Sequence, residues 1–170
     1  RGVLSVVAGS AEYPGAAALV VNAATATGVG YLSLVAEPPR GKTVADHVLT
    51  AHPQIVVTDQ VTQKATAVVV GPGLGSTVRG QGATGSALQA AQRLQIPILV
   101  DASGLDVLES WVFDKPFSAL VLTPHVGEMH RLTKRLAPDL TDYSVVAQAE
   151  EFAYRFGTWV VLKSATTYVF

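Results

Sequence analysis

The sequence predicts an α/β fold, a three-layer α/β/α sandwich around a mostly parallel sheet. Short apolar runs rich in Val and Ile recur along the 170 residues, and most are continuous rather than alternating. Continuous runs are typical of strands buried on both faces, as in a parallel sheet covered by helices. Segments with helical character separate the runs, and this alternation favours βαβ units.

The strands and helices can be placed in order along the chain. Bounded by Gly, Pro, Asp or Ser, the predicted strands are residues 3–8, 31–36, 55–58, 67–70, 96–100, 119–122 and 159–162. The predicted helices are residues 15–27, 43–51, 79–94, 127–135 and 144–156. Residues 37–41 predict a loop because they hold two prolines and a glycine, and residues 137–139 separate the last two helices.

The length and the last residues predict the domain organisation. Because roughly 100 to 200 residues per domain is usual, residues 1–170 are expected to form a single domain. The run at 158–170 predicts the start of a hairpin. It ends on Tyr168, Val169 and Phe170, where a sheet would continue, so we expect the domain to lack its C-terminal part.

The composition excludes several classes of function. Twelve Lys and Arg stand against 13 Asp and Glu, without a basic run, so neither a nucleic acid nor an anionic membrane surface is an expected partner. The absence of Cys excludes disulfides, thiolate nucleophiles and Cys-ligated zinc. No apolar run reaches the roughly 18 residues of a membrane span. For an α/β composition of this kind, a reducing cytoplasm is the default expectation.

Ligands of open α/β sheets bind beyond the carboxyl ends of the strands, so the residues after each strand are the candidate site. Residues 9–17 follow the first strand and are mostly small, which either opens backbone amides to a ligand or packs a tight turn. Residues 71–76 resemble a dinucleotide fingerprint, but Ser76 stands where its third glycine belongs. That turn therefore either binds a phosphate or carboxylate through its amides or only connects a strand to a helix.

Charged residues follow the later strands. Asp101 must be solvated, paired or bound to a cation or donor, or else it caps the next short helix. Thr123, His125 and Glu128 cluster around a turn that starts a helix, which favours function there. Lys163 either reaches a nucleotide phosphate, with Thr166 or Thr167 donating hydroxyl contacts, or extends along apolar surface into water.

In this order, the five strand ends resemble those of the NAD(P)H-hydrate dehydratase family, which belongs to the ribokinase-like superfold. The resemblance spans nearly the whole chain, from residue 3 to residue 167, and the Thr-Pro-His-x-Gly-Glu segment at 123–128 is its most specific motif. The other matching segments are residues 9–17, 70–75, 100–102 and 161–163, together with Thr167.

The resemblance implies a repair lyase that uses ADP, or ATP, to remove water from hydrated NADH or NADPH. It implies that Ala16, Gly73 and His125 contact the hydrated dinucleotide. It also implies that Glu128 lies near a Mg²⁺ ion, through water, because Mg²⁺ keeps much of its hydration shell. The adenine nucleotide would be bound by Lys163, Ser164, Ala165, Thr166 and Thr167.

Two departures from the family pattern bear on activity. Ser164 replaces the family's glycine after the lysine, which narrows the backbone freedom of the nucleotide turn. The family's Gly-Thr-Gly-Asp segment, with its anion-hole amides and catalytic aspartate, would come after Phe170. The fragment alone is therefore expected to be inactive.

Two alternatives to the dehydratase remain at this point. A small-molecule kinase of the same superfold, such as a hydroxymethylpyrimidine or thiazole kinase, would share the sheet and the nucleotide end. An inactive ligand-binding module is the other alternative. The low charged fraction of 15% favours a homo-oligomer, and the resemblance implies a tetramer.

Overall fold

The computed structural model describes residues 2–36 and 44–170, so the predicted loop at 37–41 lies outside the described residues. The strands are β1 Val3–Val7, β2 Tyr31–Val35, β3 Val56–Thr58, β4 Ala67–Val70, β5 Ile98–Val100, β6 Leu120–Leu122, β7 Trp159–Leu162 and β8 Tyr168–Val169. The helices are α1 Pro14–Ala26, α2 Val44–Ala51, α3 Val78–Leu94, α4 Val126–Leu136 and α5 Val145–Phe156. Three short 3₁₀ helices are η1 Ala102–Val107, η2 Ser110–Phe113 and η3 Pro138–Leu140.

All eight strands form one sheet in the order β3-β2-β1-β4-β5-β6-β7-β8. The first seven pair in parallel, and β8 returns antiparallel to β7. The α/β fold class and the hairpin at the end of the chain are therefore confirmed. The order reverses between β1 and β4, which makes this pair the topological switch point of the sheet.

The register explains why the strands read as continuous apolar runs. Val7 pairs with Val70, Val70 with Val100, and Val100 with Leu122, so one buried row crosses the sheet. This row belongs to the larger core cluster, which the side chains of α3, α4 and α5 cover. Since side chains alternate along a strand, Val6 points to the opposite face and packs with α1 and α2. Helices thus cover both faces of the sheet.

Strand boundaries differ from the predicted ones where turns use the backbone. The fifth strand begins at Ile98 rather than at residue 96, because the Ile96 amide donates to the carbonyl of Ala91 at the end of α3 and Pro97 has no N–H. The third strand begins at Val56, because the Ile55 amide donates to His52 in a turn. The η2 helix was not predicted.

Among the described residues, no helix has both the length and the apolar character that a membrane span requires.

Candidate active site

The parallel strands end together at one edge of the sheet, here called the carboxyl rim. The β1 turn and the β4 turn meet at its switch point, where the Gly9 amide donates to the Pro72 carbonyl over 2.7 Å. Crevices at such points are the usual ligand sites of open α/β sheets. The rim therefore contains the strand ends that the sequence singled out.

Ala16 and Gly73 lie in direct contact at this crevice. A Cβ atom placed on Gly73 would lie 2.4 Å from the Cβ of Ala16 and 3.0 Å from the carbonyl oxygen of Tyr13. Gly73 also has a φ of +69°, a conformation that residues with a Cβ rarely adopt. The two turns can approach so closely only because their residues are small.

The β4 turn also packs tightly on the β5 turn. At Gly71, whose φ is +121°, an added Cβ would lie 1.9 Å from the carbonyl oxygen of Asp101. The Ser103 hydroxyl donates to the Gly71 carbonyl over 2.8 Å. These backbone contacts join the switch point to the next strand end.

Two cavities lie near the end of β1. One, of about 360 Å³, is lined by residues that include Gly9, Glu12 and Thr77. The other, of about 420 Å³, runs along α3, and both include Val7 in their lining. Their volumes fall in the range of small-molecule sites. The lining of the first comes from the β1 turn, the ends of β2 and β3 and the residues around the start of α3, and not from the ends of β6 and β7.

His125 and Glu128 form a capping box at the start of α4. His125 Nδ1 accepts hydrogen bonds from the amides of Gly127 and Glu128, at 3.0 and 3.4 Å. In return, the His125 amide donates to Glu128 Oε2 over 2.8 Å. Because Nδ1 is an acceptor, the ring proton of neutral His125 lies on Nε2, which is 3.4 Å from Glu128 Oε1. The imidazole side chain is 54% exposed, so part of it faces solvent at the rim.

Lys163 lies beside His125. The two residues form an isolated parallel bridge, and the Lys163 amide donates to the Pro124 carbonyl over 2.8 Å. Lys163 Nζ donates to Asp101 Oδ1 over 2.6 Å. Of the alternatives for Asp101, the structure selects pairing: its carboxylate makes no capping hydrogen bond to η1.

Residues 164–167 form the exposed turn between β7 and β8. The Ser164 hydroxyl donates to the Thr166 carbonyl over 2.6 Å, which closes the turn locally. All four residues stay open to solvent next to Lys163.

The structure brings the candidate residues together in two groups. Ala16 and Gly73 form one group, His125, Glu128 and Lys163 form the other, and Asp101 connects them. The Asp101–Lys163 pair could not be predicted because the residues are 62 positions apart. The capping box did have a sequence signal, a Glu three residues after His125, but His is not among the usual N-cap residues.

Within residues 2–36 and 44–170, no group of three His, Asp or Glu side chains converges as a metal site. The Glu128 carboxylate is already engaged with His125, and its side chain is only 9% exposed. Such a donor set suits a Mg²⁺ ion held mainly by water and by phosphate oxygens, rather than an all-protein cage.

Taken together, the sheet order and the rim define an α/β protein of the ribokinase-like fold. A ribokinase-like superfamily protein from Enterococcus faecalis superposes with a TM-score of 0.79 at 22% identity, over 99% of this chain and 60% of that one. Residues 4–170 match the family model described as NAD(P)H-hydrate dehydratase. The chain belongs to the NAD(P)H-hydrate dehydratase family.

Individual relatives are similar over nearly the whole chain. A bifunctional NAD(P)H-hydrate repair enzyme of Mycobacterium tuberculosis is 35% identical over 99% of this chain and 34% of its own length. An ADP-dependent (S)-NAD(P)H-hydrate dehydratase of Listeria monocytogenes is 27% identical over 99% of this chain and 60% of its own length. The Bacillus subtilis ADP/ATP-dependent dehydratase, crystallised with ATP and Mg²⁺ and soaked with CoA, superposes with a TM-score of 0.76 at 28% identity and is covered to 61%. This chain therefore spans about a third of the Mycobacterium tuberculosis enzyme and about three fifths of the Listeria and Bacillus dehydratases.

Proposed function

We propose that the chain is the part of a lyase that dehydrates hydrated NADH or NADPH, with ADP or ATP as co-substrate. The observation that carries this proposal is the adjacency of the family's motif residues at one rim: Ala16 touches Gly73, and His125 is bridged to Lys163. Family membership over residues 4–170 supports the same reaction.

The hydrated dinucleotide is assigned to Ala16, Gly73 and His125. Ala16 and Gly73 are small and pack on each other, so the two turns present little side chain to a ligand at the switch point. A phosphate can then approach backbone amides and the amino end of α1, where the helix dipole favours an anion. The partly exposed imidazole of His125 offers a hydrogen-bonding group from the neighbouring half of the rim.

The adenine nucleotide is assigned to Lys163 and to Ser164, Ala165, Thr166 and Thr167. Lys163 supplies a positive charge beside an open turn whose hydroxyls can bind phosphate or ribose oxygens. Ser164 in place of the family's glycine closes this turn through its bond to Thr166. A turn constrained in this way accepts fewer backbone conformations around the nucleotide.

Mg²⁺ is assigned to the same rim, with Glu128 reaching it through water. Bound there, the ion would neutralise charge on the nucleotide phosphates. The protein contribution is to hold Glu128 in place, which the His125 amide does through its hydrogen bond to Oε2.

The chemistry is a phosphoryl transfer followed by an elimination. The hydroxyl of the hydrate attacks the terminal phosphorus of ADP or ATP, and AMP or ADP departs. The C–O bond to the new phosphate ester then breaks, the ring loses a proton, and inorganic phosphate leaves with the reduced nicotinamide restored. In this scheme, Lys163 and the helix-end amides stabilise the charge of the transferring group.

The test uses the whole natural protein, because this chain covers only 61% of the Bacillus subtilis enzyme. The protein is mixed with NADPH hydrate, Mg²⁺ and either ADP or ATP, and the absorbance of reduced nicotinamide is followed while AMP, ADP and phosphate are quantified. We expect one NADPH and one phosphate for each nucleotide consumed. No gain of NADPH rejects the dehydratase.

The same assay, run also with other alcohols in place of NADPH hydrate, separates the two alternatives. Nucleotide consumption with hydroxymethylpyrimidine or thiazole alcohols, without a gain of NADPH, indicates a small-molecule kinase. Saturable binding of NADPH hydrate and ADP without turnover indicates an inactive binding module.

The setting of the enzyme is also part of the proposal. We propose a cytoplasmic homo-oligomer, in line with the tetramer that the resemblance implied, without nucleic-acid partners. The homo-oligomer is supported by the low charged fraction of the sequence and by several large apolar side chains that are exposed. Among them are Leu19, Val78, Tyr154 and Trp159. Sedimentation equilibrium of the whole protein tests this assembly.

A further inference from the structure

We infer that Asp101 is the positioning residue for Lys163, and that it holds the Lys163 ammonium over the end of β6 so that it faces the nucleotide. This inference rests on the proposed function, in which Lys163 contacts the adenine nucleotide.

The pair joins strands that are not neighbours in the sheet. Asp101 follows β5 and Lys163 follows β7, with β6 between them. The contact between Lys163 Nζ and Asp101 Oδ1, at 2.6 Å, therefore passes over the turn that begins at Thr123. Asp101 thus contacts the β4 turn, on the substrate side, through its carbonyl oxygen, and Lys163, on the nucleotide side, through its carboxylate.

Asp101 is the fixed partner of the pair. Its amide donates to the Val70 carbonyl, and its carbonyl accepts from the Gly104 amide, both at 3.0 Å. The next residue, Ala102, has a φ of +50°, a left-handed conformation that is costly for a residue with a Cβ. The surrounding structure thus holds the backbone on both sides of the carboxylate.

Lys163 is the flexible partner. Its side chain is 43% exposed and ends in an ammonium on a four-carbon stem, whereas the Asp101 side chain is 26% exposed. An ammonium has three N–H donors, so one can bind Asp101 while the other two remain for phosphate oxygens. Asp101 therefore restricts the stem before the nucleotide arrives and lowers the entropic cost of binding it.

The pair has a second consequence for the site. The Asp101 carbonyl also lies against Gly71, so the same residue contacts both the β4 turn and Lys163.

The test measures ADP binding in the presence of Mg²⁺ by isothermal titration calorimetry, using the whole natural protein. The variants are Asp101→Asn, Lys163→Met and the double variant. Asp106→Asn is the matched control, because Asp106 also follows β5 and pairs with an arginine, Arg131, at 3.3 Å. Thermal unfolding of each variant confirms that it is folded.

We expect Asp101→Asn to weaken ADP binding about tenfold, the size of one charge-assisted hydrogen bond, and Asp106→Asn to change it less than about twofold. Lys163→Met should weaken binding at least as much. The double variant should bind no more weakly than Lys163→Met, because Asp101 acts only through Lys163. In the turnover assay, Asp101→Asn should raise the KM for ADP while the KM for NADPH hydrate stays within about twofold.

Other outcomes overturn the inference. Unchanged or tighter ADP binding by Asp101→Asn would show that Asp101 is a spectator or a competitor of the phosphate. Additive losses in the double variant would show that it acts independently of Lys163. If Asp101→Asn does not fold, Asp101→Glu is measured instead, because it keeps the charge but moves the carboxylate by one methylene. ADP binding by Asp101→Glu that equals that of the parent refutes the inference.

The parent protein separates this inference from the proposed function. If the parent dehydrates NADPH hydrate and Asp101→Asn has the same KM for ADP as the parent, the positioning role is refuted and the proposed function stands. A parent that binds neither ADP nor ATP sinks both.

Discussion

The carboxyl rim has two halves that are built differently. Where β1 and β4 end, the residues are small and the backbone makes the contacts. Where β5, β6 and β7 end, side chains make the contacts. Gly71 and Gly73 pack on Asp101 and Ala16 at distances that leave no room for another carbon atom. On the other side, Lys163 is held by the Asp101 carboxylate and Glu128 by the His125 amide.

This difference has a consequence for substitution. The backbone half is sensitive to an added atom, since the groups that would be displaced are main-chain atoms that cannot move away. The side-chain half is sensitive to the loss of a charge or of a hydrogen-bonding atom, and it tolerates substitutes that keep the bond. Three substitution experiments test this contrast, and a fourth, outside the rim, is expected to have the smallest effect.

The largest effect is expected at Gly71. Gly71→Ala would place a Cβ 1.9 Å from the Asp101 carbonyl oxygen at a φ of +121°. We expect a loss of about 4 kcal/mol or more in the free energy of unfolding, measured by urea denaturation.

Gly82→Ala is the matched control. Gly82 lies in α3, and a Cβ added there meets nothing within 4 Å. Alanine should stabilise the helix by about 0.5–1 kcal/mol. Equal effects of the two substitutions would contradict the contrast between the packed turn and the open helix face.

At Gly73 the expected loss of stability is smaller, and a second substitution should restore part of it. Gly73→Ala should cost about 2–3 kcal/mol, because the new Cβ would overlap the Cβ of Ala16 at 2.4 Å. Adding Ala16→Gly should recover about 1 kcal/mol despite its helix cost, while the strained φ remains. Urea denaturation of both single variants and the double variant measures this coupling, and simple additivity would argue against direct packing of the two turns.

On the side-chain half, His125 can be tested for two separate tasks. His125→Ala removes the acceptor for two amides and should cost about 1 kcal/mol, whereas Asn, a good N-cap, should keep most of that stability. Both variants should raise the KM for NADPH hydrate in the whole protein if the imidazole also contacts the ligand. If His125→Asn keeps both the stability and the KM for NADPH hydrate of the parent, His125 serves only as the helix cap.

The smallest effect is expected outside the rim. Arg155 donates two hydrogen bonds of 2.8 Å to the Asp139 carboxylate, and this lowers the pKa of Asp139. A carboxyl with a lowered pKa in the folded state stabilises the fold above its unfolded pKa, and this contribution disappears as the pH falls through the folded pKa. Arg155→Met should therefore lower Tm slightly near neutral pH, and the difference from the parent should shrink as the pH falls from about 5 through the folded pKa of Asp139.

Arg93→Met serves as the control for pH dependence, because Arg93 also lies in the last turn of a helix. Its difference in Tm should stay nearly constant over the same pH range. A constant difference for Arg155→Met as well would show that the Asp139 pair does not contribute to stability.

The sequence alone determined the elements and the family. Continuous Val- and Ile-rich runs are a local signal, so the strands, the five helices and the final hairpin could be predicted. Their ends were predicted to within one or two residues, with shifts where turns use the backbone, as at Ile55 and Ile96, and the short helix η2 was missed. The motifs at the strand ends were sufficient to identify the NAD(P)H-hydrate dehydratase family, because each follows its own strand closely. The roles assigned to the individual site residues remain predictions.

The tertiary structure decided which strand ends touch. Asp101 could have capped a helix or faced water, and only the sheet order brought it to Lys163, two strands away. Likewise, the small size of Gly71 is explained by the Asp101 carbonyl, which lies 30 residues further along the chain. Local patterns follow from the conformational preferences of neighbouring residues, whereas these contacts depend on strand order and register, which are set by burial of the whole sheet.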